Sequence, residues 1–169
     1  MDKKIIYLYF IMFIDFDVIK HLLNNFELEI SFYVHSTEDD EKILHAIEEN
    51  FCLNKSLFNI IQLKGHHGNP IIKYHSNLKE DIAQRIFEII FKRLEPNQKQ
   101  TLLETLDEYI DSSKSLYVRL DKPKLCEREI SLGKANSIHF KFKPKKIYLR
   151  DAVEFYRESI SNLRKTFKS

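Results

Sequence analysis

LKGHHGNPII, residues Leu63 to Ile72, is the part of the chain whose backbone conformation is most narrowly specified. Two of the three glycines of the sequence fall here, and Asn69-Pro70 follows them. Glycine and asparagine reach positive φ at low cost, and proline then fixes φ as the chain leaves the turn. Strand-like runs flank the turn, from Leu57 to Leu63 and from Ile71 to His75. The sequence therefore predicts a β-hairpin, and with it a sheet that is at least partly antiparallel.

Upstream of this turn, the sequence predicts one strand followed by one helix. Residues 28–35 alternate between apolar and polar or exposed types, which is the period of a half-buried strand. Ser36 or Thr37 is predicted to cap the helix, because a side-chain hydroxyl can accept a hydrogen bond from its first free N–H groups. The acidic run Glu38-Asp39-Asp40 also indicates a helix start, since negative charge is stabilising at the positive end of the helix dipole. Apolar residues recur at helical spacing from Ile43 to Phe51.

Downstream of the turn, the sequence predicts two helices, then strands, then a closing helix. We expect Asn77 to cap the first helix, and Glu95-Pro96-Asn97 to separate it from a second that runs to about Ile110. Residues 116–121 and 138–143 alternate as strands. Between them the sequence predicts a turn or loop at Lys122-Pro123-Lys124 and a further strand from Glu127 to Leu132. The closing amphipathic helix is predicted from Leu149 to Phe167.

The predicted order of elements is β-α-β-β-α-α-β-β-β-α. Hairpins predominate in this order and no βαβαβ series appears, so we predict an α+β fold. Its sheet is expected to be mostly antiparallel, with the helices packed on one face. We expect residues 26–169 to form a single domain.

Residues 1–25 are predicted to be an apolar extension outside that domain. The uninterrupted apolar run Ile5 to Ile14 follows Lys3 and Lys4, but ten residues are too few to span a bilayer. No small-residue cleavage site follows, so a signal peptide is not predicted either. We expect a buried strand or helix segment, either lineage-specific or the product of an early start, with Met12 as the internal alternative.

Charge is distributed unevenly along a chain whose formal net charge is only +2. Residues 111–169 hold 15 Lys/Arg against 7 Asp/Glu, whereas the preceding 110 residues are net acidic. Such a basic half suits a polyanion, because each neutralised phosphate releases counterions. Basic and aromatic residues interleave on the late strands, where one strand face carries His139, Lys141 and Lys143 and the strand near Arg119 adds Tyr117 and Arg119. The alternative interpretation is a solvated outer face of the sheet.

His66 and His67 raise the question of a metal site, with His35, His75 or His139 as further ligands. Adjacent histidines on a turn point in different directions, and no cysteine or carboxylate lies nearby at ligand spacing, so we predict no metal. The turn also lacks the Lys-Ser/Thr of a phosphate-binding loop. No serine or cysteine lies in a nucleophile motif, and we therefore predict no catalytic residue and no cofactor.

Three segments together resemble the ordered landmarks of a small archaeal family of predicted RNA-binding proteins or exosome subunits. They are His35 to Asp39 followed by Lys42-Ile43 and Ala46-Ile47, then Gly65 to Ile71, then Tyr117 to Lys122. The resemblance extends from about Leu28 to Ile147. It implies a fold similar to that of a large-subunit ribosomal protein that contacts a small ribosomal RNA, with a suggested affinity to double-stranded-RNA-binding domains. It also implies a role in RNA metabolism.

Our first hypothesis is therefore a non-catalytic, cytoplasmic RNA-binding protein that serves the archaeal exosome or ribosome-related RNA processing. The predicted RNA-contacting residues are Lys64, His66, His67, Lys73, Arg119, Lys122, Lys124, Lys141, Lys143, Lys145 and Lys146. Exosome or ribosomal proteins and a second copy of the chain are the further partners, and no membrane is expected. The alternatives are a protein-interaction or assembly subunit without RNA contact, and a histidine-dependent metal hydrolase.

Overall fold

The computed structural model describes residues 26–66, 68–145 and 151–163. Its main elements, in chain order, are β1 (Phe26–His35), α1 (Asp40–Phe51), β2 (Asn59–Lys64), β3 (Pro70–Leu78), α2 (Glu80–Arg93), α3 (Pro96–Glu104), β4 (Leu116–Asp121), α4 (Lys122–Cys126), β5 (Ser137–Pro144) and α5 (Ala152–Asn162). Short 3₁₀ helices at Lys55–Leu57 and Leu106–Tyr109 come before β2 and β4 respectively.

The described strands form one antiparallel sheet in the order β2-β3-β1-β5-β4, with β1 at its centre. The even-numbered residues of β1, from Phe26 to Val34, are all buried on one face of the sheet. Buried residues of the helices belong to the same hydrophobic cluster, so the helices pack on this face. The predicted α+β fold, with an antiparallel sheet and helices on one face, is confirmed.

The predicted hairpin is also present. β2 and β3 pair from Asn59 with His75 to Lys64 with Pro70. In the turn, the Gly65 amide donates to the Asn69 carbonyl at 2.8 Å, and the Gly68 amide donates to the Gly65 carbonyl at 2.9 Å. Gly68 has a φ of 79°, in the left-handed region that residues with a Cβ avoid.

The strand predicted from Glu127 to Leu132 is wrong, and so is the loop predicted at residues 122–124. The Asp121 carboxylate accepts a hydrogen bond from the Lys124 amide at 2.9 Å, and this cap starts α4 directly after β4. Pro123 lies in the first turn of α4, where its missing N–H has no helical partner to lose. Within residues 127–132, all of which the structure describes, the β-pairing is a single isolated bridge between Leu132 and Leu120.

Three helix boundaries also differ from the prediction. Asn77 does not cap a helix, because it pairs with Glu29 inside β3, and α2 begins after Lys79. The cap of α1 is Asp39, whose carboxylate accepts from the Lys42 amide at 3.2 Å. α3 ends at Glu104 rather than near residue 110, and a 3₁₀ helix follows it.

The extension of residues 1–25 and the two ends of the predicted closing helix lie outside the described residues. Of the helices that the structure describes, none is long and apolar enough to cross a bilayer.

Candidate nucleic-acid interface

The sheet face opposite the helices is called the open face below, and it is formed by the odd-numbered residues of the strands. Burial on β1 assigns Phe32 to the helix-covered face and Tyr33 to the open face. Cross-strand register carries this assignment to the other strands. The aromatic, imidazole and cationic residues of the open face are Tyr33, His35, Lys73, His75, Tyr117, Arg119, His139, Lys141 and Lys143.

One row of residues crosses the open face from edge to edge. Its members, each the cross-strand partner of the next, are Asn59, His75, Ser31, His139 and Arg119. Because neighbouring strands lie about 4.8 Å apart, the strands of the two histidines are separated by roughly 10 Å with Ser31 between them. Lys73 and Tyr33 lie in the adjacent row, with the Lys73 ammonium 5.7 Å from the ring centroid. We call Lys73, His75, His139 and Arg119 the cationic half of the open face.

The imidazole of His139 lies in an environment that lowers its pKa. Burial lowers the pKa of His139 below its usual range, and the positive charges of Arg119 and Lys73 lower it further. The ring is therefore neutral near pH 7 and can both donate and accept a hydrogen bond. A phosphate brought between these cations would favour the protonated imidazole, because it supplies the missing opposite charge.

The cations of the other half of the open face are already paired with carboxylates. Lys143 Nζ lies 2.7 Å from Glu29 Oε2, and the hydrogen bond from Lys143 lowers the pKa of Glu29. Lys141 Nζ lies 3.3 Å from Asp111 Oδ2 and 4.7 Å from the Tyr117 ring centroid. An RNA phosphate would have to compete with Glu29 and Asp111 for these lysines.

Lys122 departs from its predicted role as an RNA contact, because it is only 2% exposed. Its ammonium donates to the Tyr33 carbonyl at 2.6 Å and to Glu38 Oε2 at 2.8 Å. Burial alone would raise the pKa of Glu38, but hydrogen bonds from the His35 amide, Lys122 and Asn136 outweigh it and lower the pKa. Lys122 thus ties α4 to β1 and to the loop before α1.

The remaining predicted residues lie apart from the open face. Lys64 and His66 are exposed at the β2–β3 turn, and Lys145 is exposed just after β5. Lys124 is on α4, which packs against α1, and its ammonium lies 2.9 Å from Glu129 Oε1. His67 and Lys146 lie outside the described residues.

Five members of the open face were absent from the predicted set of RNA contacts: Tyr33, His35, His75, Tyr117 and His139. Alternation along residues 28–35 already separates Tyr33 from the buried Phe32. What sequence alone does not supply is strand order, which places β3 and β5 on opposite sides of β1. That order brings His75 and His139 into one row. Within the described ranges, no three His, Cys, Asp or Glu side chains lie close enough together to bind a metal ion.

Comparison with known proteins identifies the family of the chain. A family model described as RNA binding matches residues 27–144, which include nearly the whole sheet. The chain belongs to this RNA-binding family. The family match begins at residue 27 and ends with β5 at Pro144, so residues 1–25 lie outside it as well as outside the described residues.

Relatives of this RNA-binding family member are archaeal. The chain is 30% identical over 124 residues to RNA-binding protein PAB1135 of Pyrococcus abyssi, covering 70% of this chain and 80% of that protein. A solved structure of an Archaeoglobus fulgidus protein, AF2318, is 31% identical with a TM-score of 0.65, covering 79% of this chain and 97% of its own. A solved Sulfolobus solfataricus protein, SSO0741, is 27% identical with a TM-score of 0.62, covering 79% and 98%.

Proposed function

We propose that this protein binds RNA without catalysing a reaction on it, and that the cationic half of the open face makes the main contact. The observation that carries the proposal is the row of His75, Ser31, His139 and Arg119 across the sheet. This row holds no carboxylate. Family membership supports RNA as the polyanion.

The chemistry of the cationic half suits a phosphate backbone. Among the described residues, the Arg119 guanidinium makes no hydrogen bond or ion pair, so its donors are available to a phosphate. Lys73 on β3 supplies a second cation, separated from β4 by the two strands β1 and β5. Imidazole and phenol rings on the same face offer flat surfaces on which unpaired bases stack.

Binding is tested by fluorescence anisotropy with a labelled RNA of mixed sequence, titrated at several salt concentrations. The double variant Arg119→Glu with Lys73→Glu should weaken binding at least about tenfold and flatten the plot of log affinity against log salt. The control is Lys42→Glu, which reverses an exposed charge on α1, on the helix-covered side. Equal losses in the double variant and the control would remove the open face from the proposal.

We also propose that this binding serves the archaeal exosome or ribosome-related RNA processing in the cytoplasm. The support for this context is the sequence resemblance alone. It predicts that the purified chain co-sediments with archaeal exosome or ribosomal particles, and that nuclease treatment weakens the association. If the chain sediments at the position of the free protein in the presence of either particle, this part of the proposal is wrong.

A second function, self-association, is favoured by the apolar edge of the sheet. Every residue of β2 is exposed, and Ile60, Ile61 and Leu63 are 52%, 41% and 39% exposed. Apart from Lys64 at its end, β2 carries no charged residue, proline or bulge that would protect an edge strand. We propose that it pairs antiparallel with β2 of a second copy.

Self-pairing is geometrically consistent with the sequence of β2. A two-fold axis through Gln62 places Ile61 beside Leu63 of the partner subunit on one face of the joined sheet. It opposes Lys64 to an isoleucine rather than to another lysine. Sedimentation velocity should show a dimer for the wild type and a monomer for Ile61→Lys. A wild type that stays monomeric at high micromolar concentration would contradict this second proposal.

A further inference from the structure

A groove of about 600 Å³ lies beside β4, on the side away from β5. Its lining includes Tyr117 and Arg119 of β4, Asn97 and Thr101 of α3, and Lys134 of the loop before β5. Because Tyr117 and Arg119 also belong to the open face, the groove continues the row that crosses the sheet. Its volume lies within the roughly 300–1,000 Å³ of typical small-ligand pockets.

Hydrogen bonds fix the walls of the groove in place. The Gln98 amide donates to Ser131 Oγ at 2.9 Å and accepts from the Leu132 amide at 2.8 Å, which joins α3 to the loop before β5. The Gly133 amide donates to the Arg119 carbonyl at 2.9 Å. A Cβ at Gly133 would lie 2.7 Å from Asp121 Cα, so only glycine brings the loop this close. The groove is therefore preformed rather than assembled by its ligand.

The lining of the groove combines the groups that recognise one nucleotide. Arg119 and Lys134 supply two cations, and within the described residues neither side chain makes a hydrogen bond or ion pair. Tyr109 and Tyr117 supply aromatic rings, and Glu108 supplies an acceptor for a ribose hydroxyl or a base amino group. A base paired inside a duplex cannot reach such a recess without leaving its stack.

We propose that this groove binds one unpaired nucleotide of a single-stranded RNA whose backbone crosses the open face. Arg119 and Lys134 hold the phosphate, and the base lies against Tyr109 or Tyr117. This inference rests on the proposed RNA-binding function and adds to it a preference for single strands. The groove is the place where that preference arises.

The test compares a labelled 12-nucleotide single strand with the blunt duplex of the same sequence, again by anisotropy. Thr101→Phe places a ring in the groove from an exposed position on α3, and Gln100→Phe places the same ring on α3 outside it. Thr101→Phe should weaken single-strand binding at least about fivefold, the low end of the 1–3 kcal/mol that one stacked base contributes. Its duplex binding should match that of Gln100→Phe.

Lys134→Glu is the second variant, since it lies in an exposed loop and does not depend on how α3 tolerates a phenylalanine. It should weaken single-strand binding more than duplex binding. If both groove variants bind the single strand as tightly as the wild type does, nucleotide binding in the groove is contradicted. RNA binding by the open face is not affected by that result. Wild type that binds neither RNA would overturn the proposed function and the groove together.

Discussion

At one edge of the sheet, β4 is covered by a neighbouring loop, whereas at the other edge β2 is exposed over its whole length. The loop before β5 takes up backbone groups of β4, since the Asp121 amide donates to Ser131 O and the Gly133 amide donates to Arg119 O, both at 2.9 Å. No described strand lies on the outer side of β2. The two edges of one sheet therefore present different chemistry to solvent.

The covered edge is polar and cationic, and the bare edge is apolar. The groove beside β4 is lined by charged, amide and phenol groups. In contrast, four of the five large apolar residues that are exposed within the described ranges, Leu57, Ile60, Ile61 and Leu63, lie on or next to β2. Clustered apolar exposure marks a surface for protein contact, and clustered cations mark one for polyanions. Under our two proposals, the β4 edge binds RNA and the β2 edge binds protein.

The largest expected effect is a difference in stability between alanine variants of two lysines, Lys122 after β4 and Lys64 at the end of β2. The sequence analysis placed both in the same set of RNA contacts. Lys122→Ala removes the buried cation that pairs with Glu38, leaving this carboxylate only the His35 amide and Asn136 as donors, and should lower the free energy of unfolding by roughly 3–5 kcal/mol. Lys64→Ala changes an exposed side chain and should cost less than about 0.5 kcal/mol. Urea unfolding followed by circular dichroism measures both, and equal losses would refute the structural role of Lys122.

The next largest effect is a difference in stability between alanine variants of the glycine near each edge, Gly133 beside β4 and Gly65 after β2. Gly133→Ala forces a Cβ against the backbone of Asp121 and should lower the free energy of unfolding by roughly 1–3 kcal/mol. A Cβ at Gly65, in the β2–β3 turn, would lie 3.3 Å from the flexible end of the Ile71 side chain. Gly65→Ala should therefore cost less than about 1 kcal/mol. The reverse ranking in thermal unfolding would show that the loop over β4 is not held as described.

The smallest effect is a change in acid stability at the turn that leads into β4. Burial alone would raise the pKa of Asp111, but hydrogen bonds from Ser113, the Ser115 amide and Lys141 lower it from about 3.8 to about 2. The folded state thus binds this proton more weakly, so the contribution of Asp111 is present above pH 4 and is lost between about pH 4 and 2. Asp111→Asn should flatten the dependence of the urea midpoint on pH in this window. An unchanged slope would contradict the shift.

The turn at Gly65–Pro70 was sufficient to predict the hairpin, and the order of strand-like and helical patterns along the chain was sufficient to predict the α+β class. Local signals failed where a cap competed with a pattern. Residues 127–132 alternate like a strand, but Asp121 and Pro123 start a helix just before them and break the register. The helix cap at Asp121 therefore outweighed the strand-like alternation of residues 127–132.

The sequence was sufficient to predict which types of residue form the candidate site, but not where on the sheet they lie or which of them are paired. Arg119, Lys141 and Lys143 were identified from their strands, yet nothing in their spacing reveals that Asp111 and Glu29 neutralise the two lysines. Both acids reach the lysines through strand order or a turn, not through sequence proximity. The burial of Lys122 has the same origin, because its partner Glu38 is 84 residues away.

The most direct test of the central claim, that RNA lies on the open face beside β4, is ultraviolet crosslinking followed by mass spectrometry of tryptic peptides. Peptide 115–119 contains Tyr117 and Arg119, peptide 135–141 contains His139, and peptide 74–79 contains His75. Crosslinks should concentrate on these three peptides. Peptide 43–55, which covers most of α1 on the helix-covered side, should remain unmodified. Crosslinks concentrated on peptide 43–55 would contradict the account.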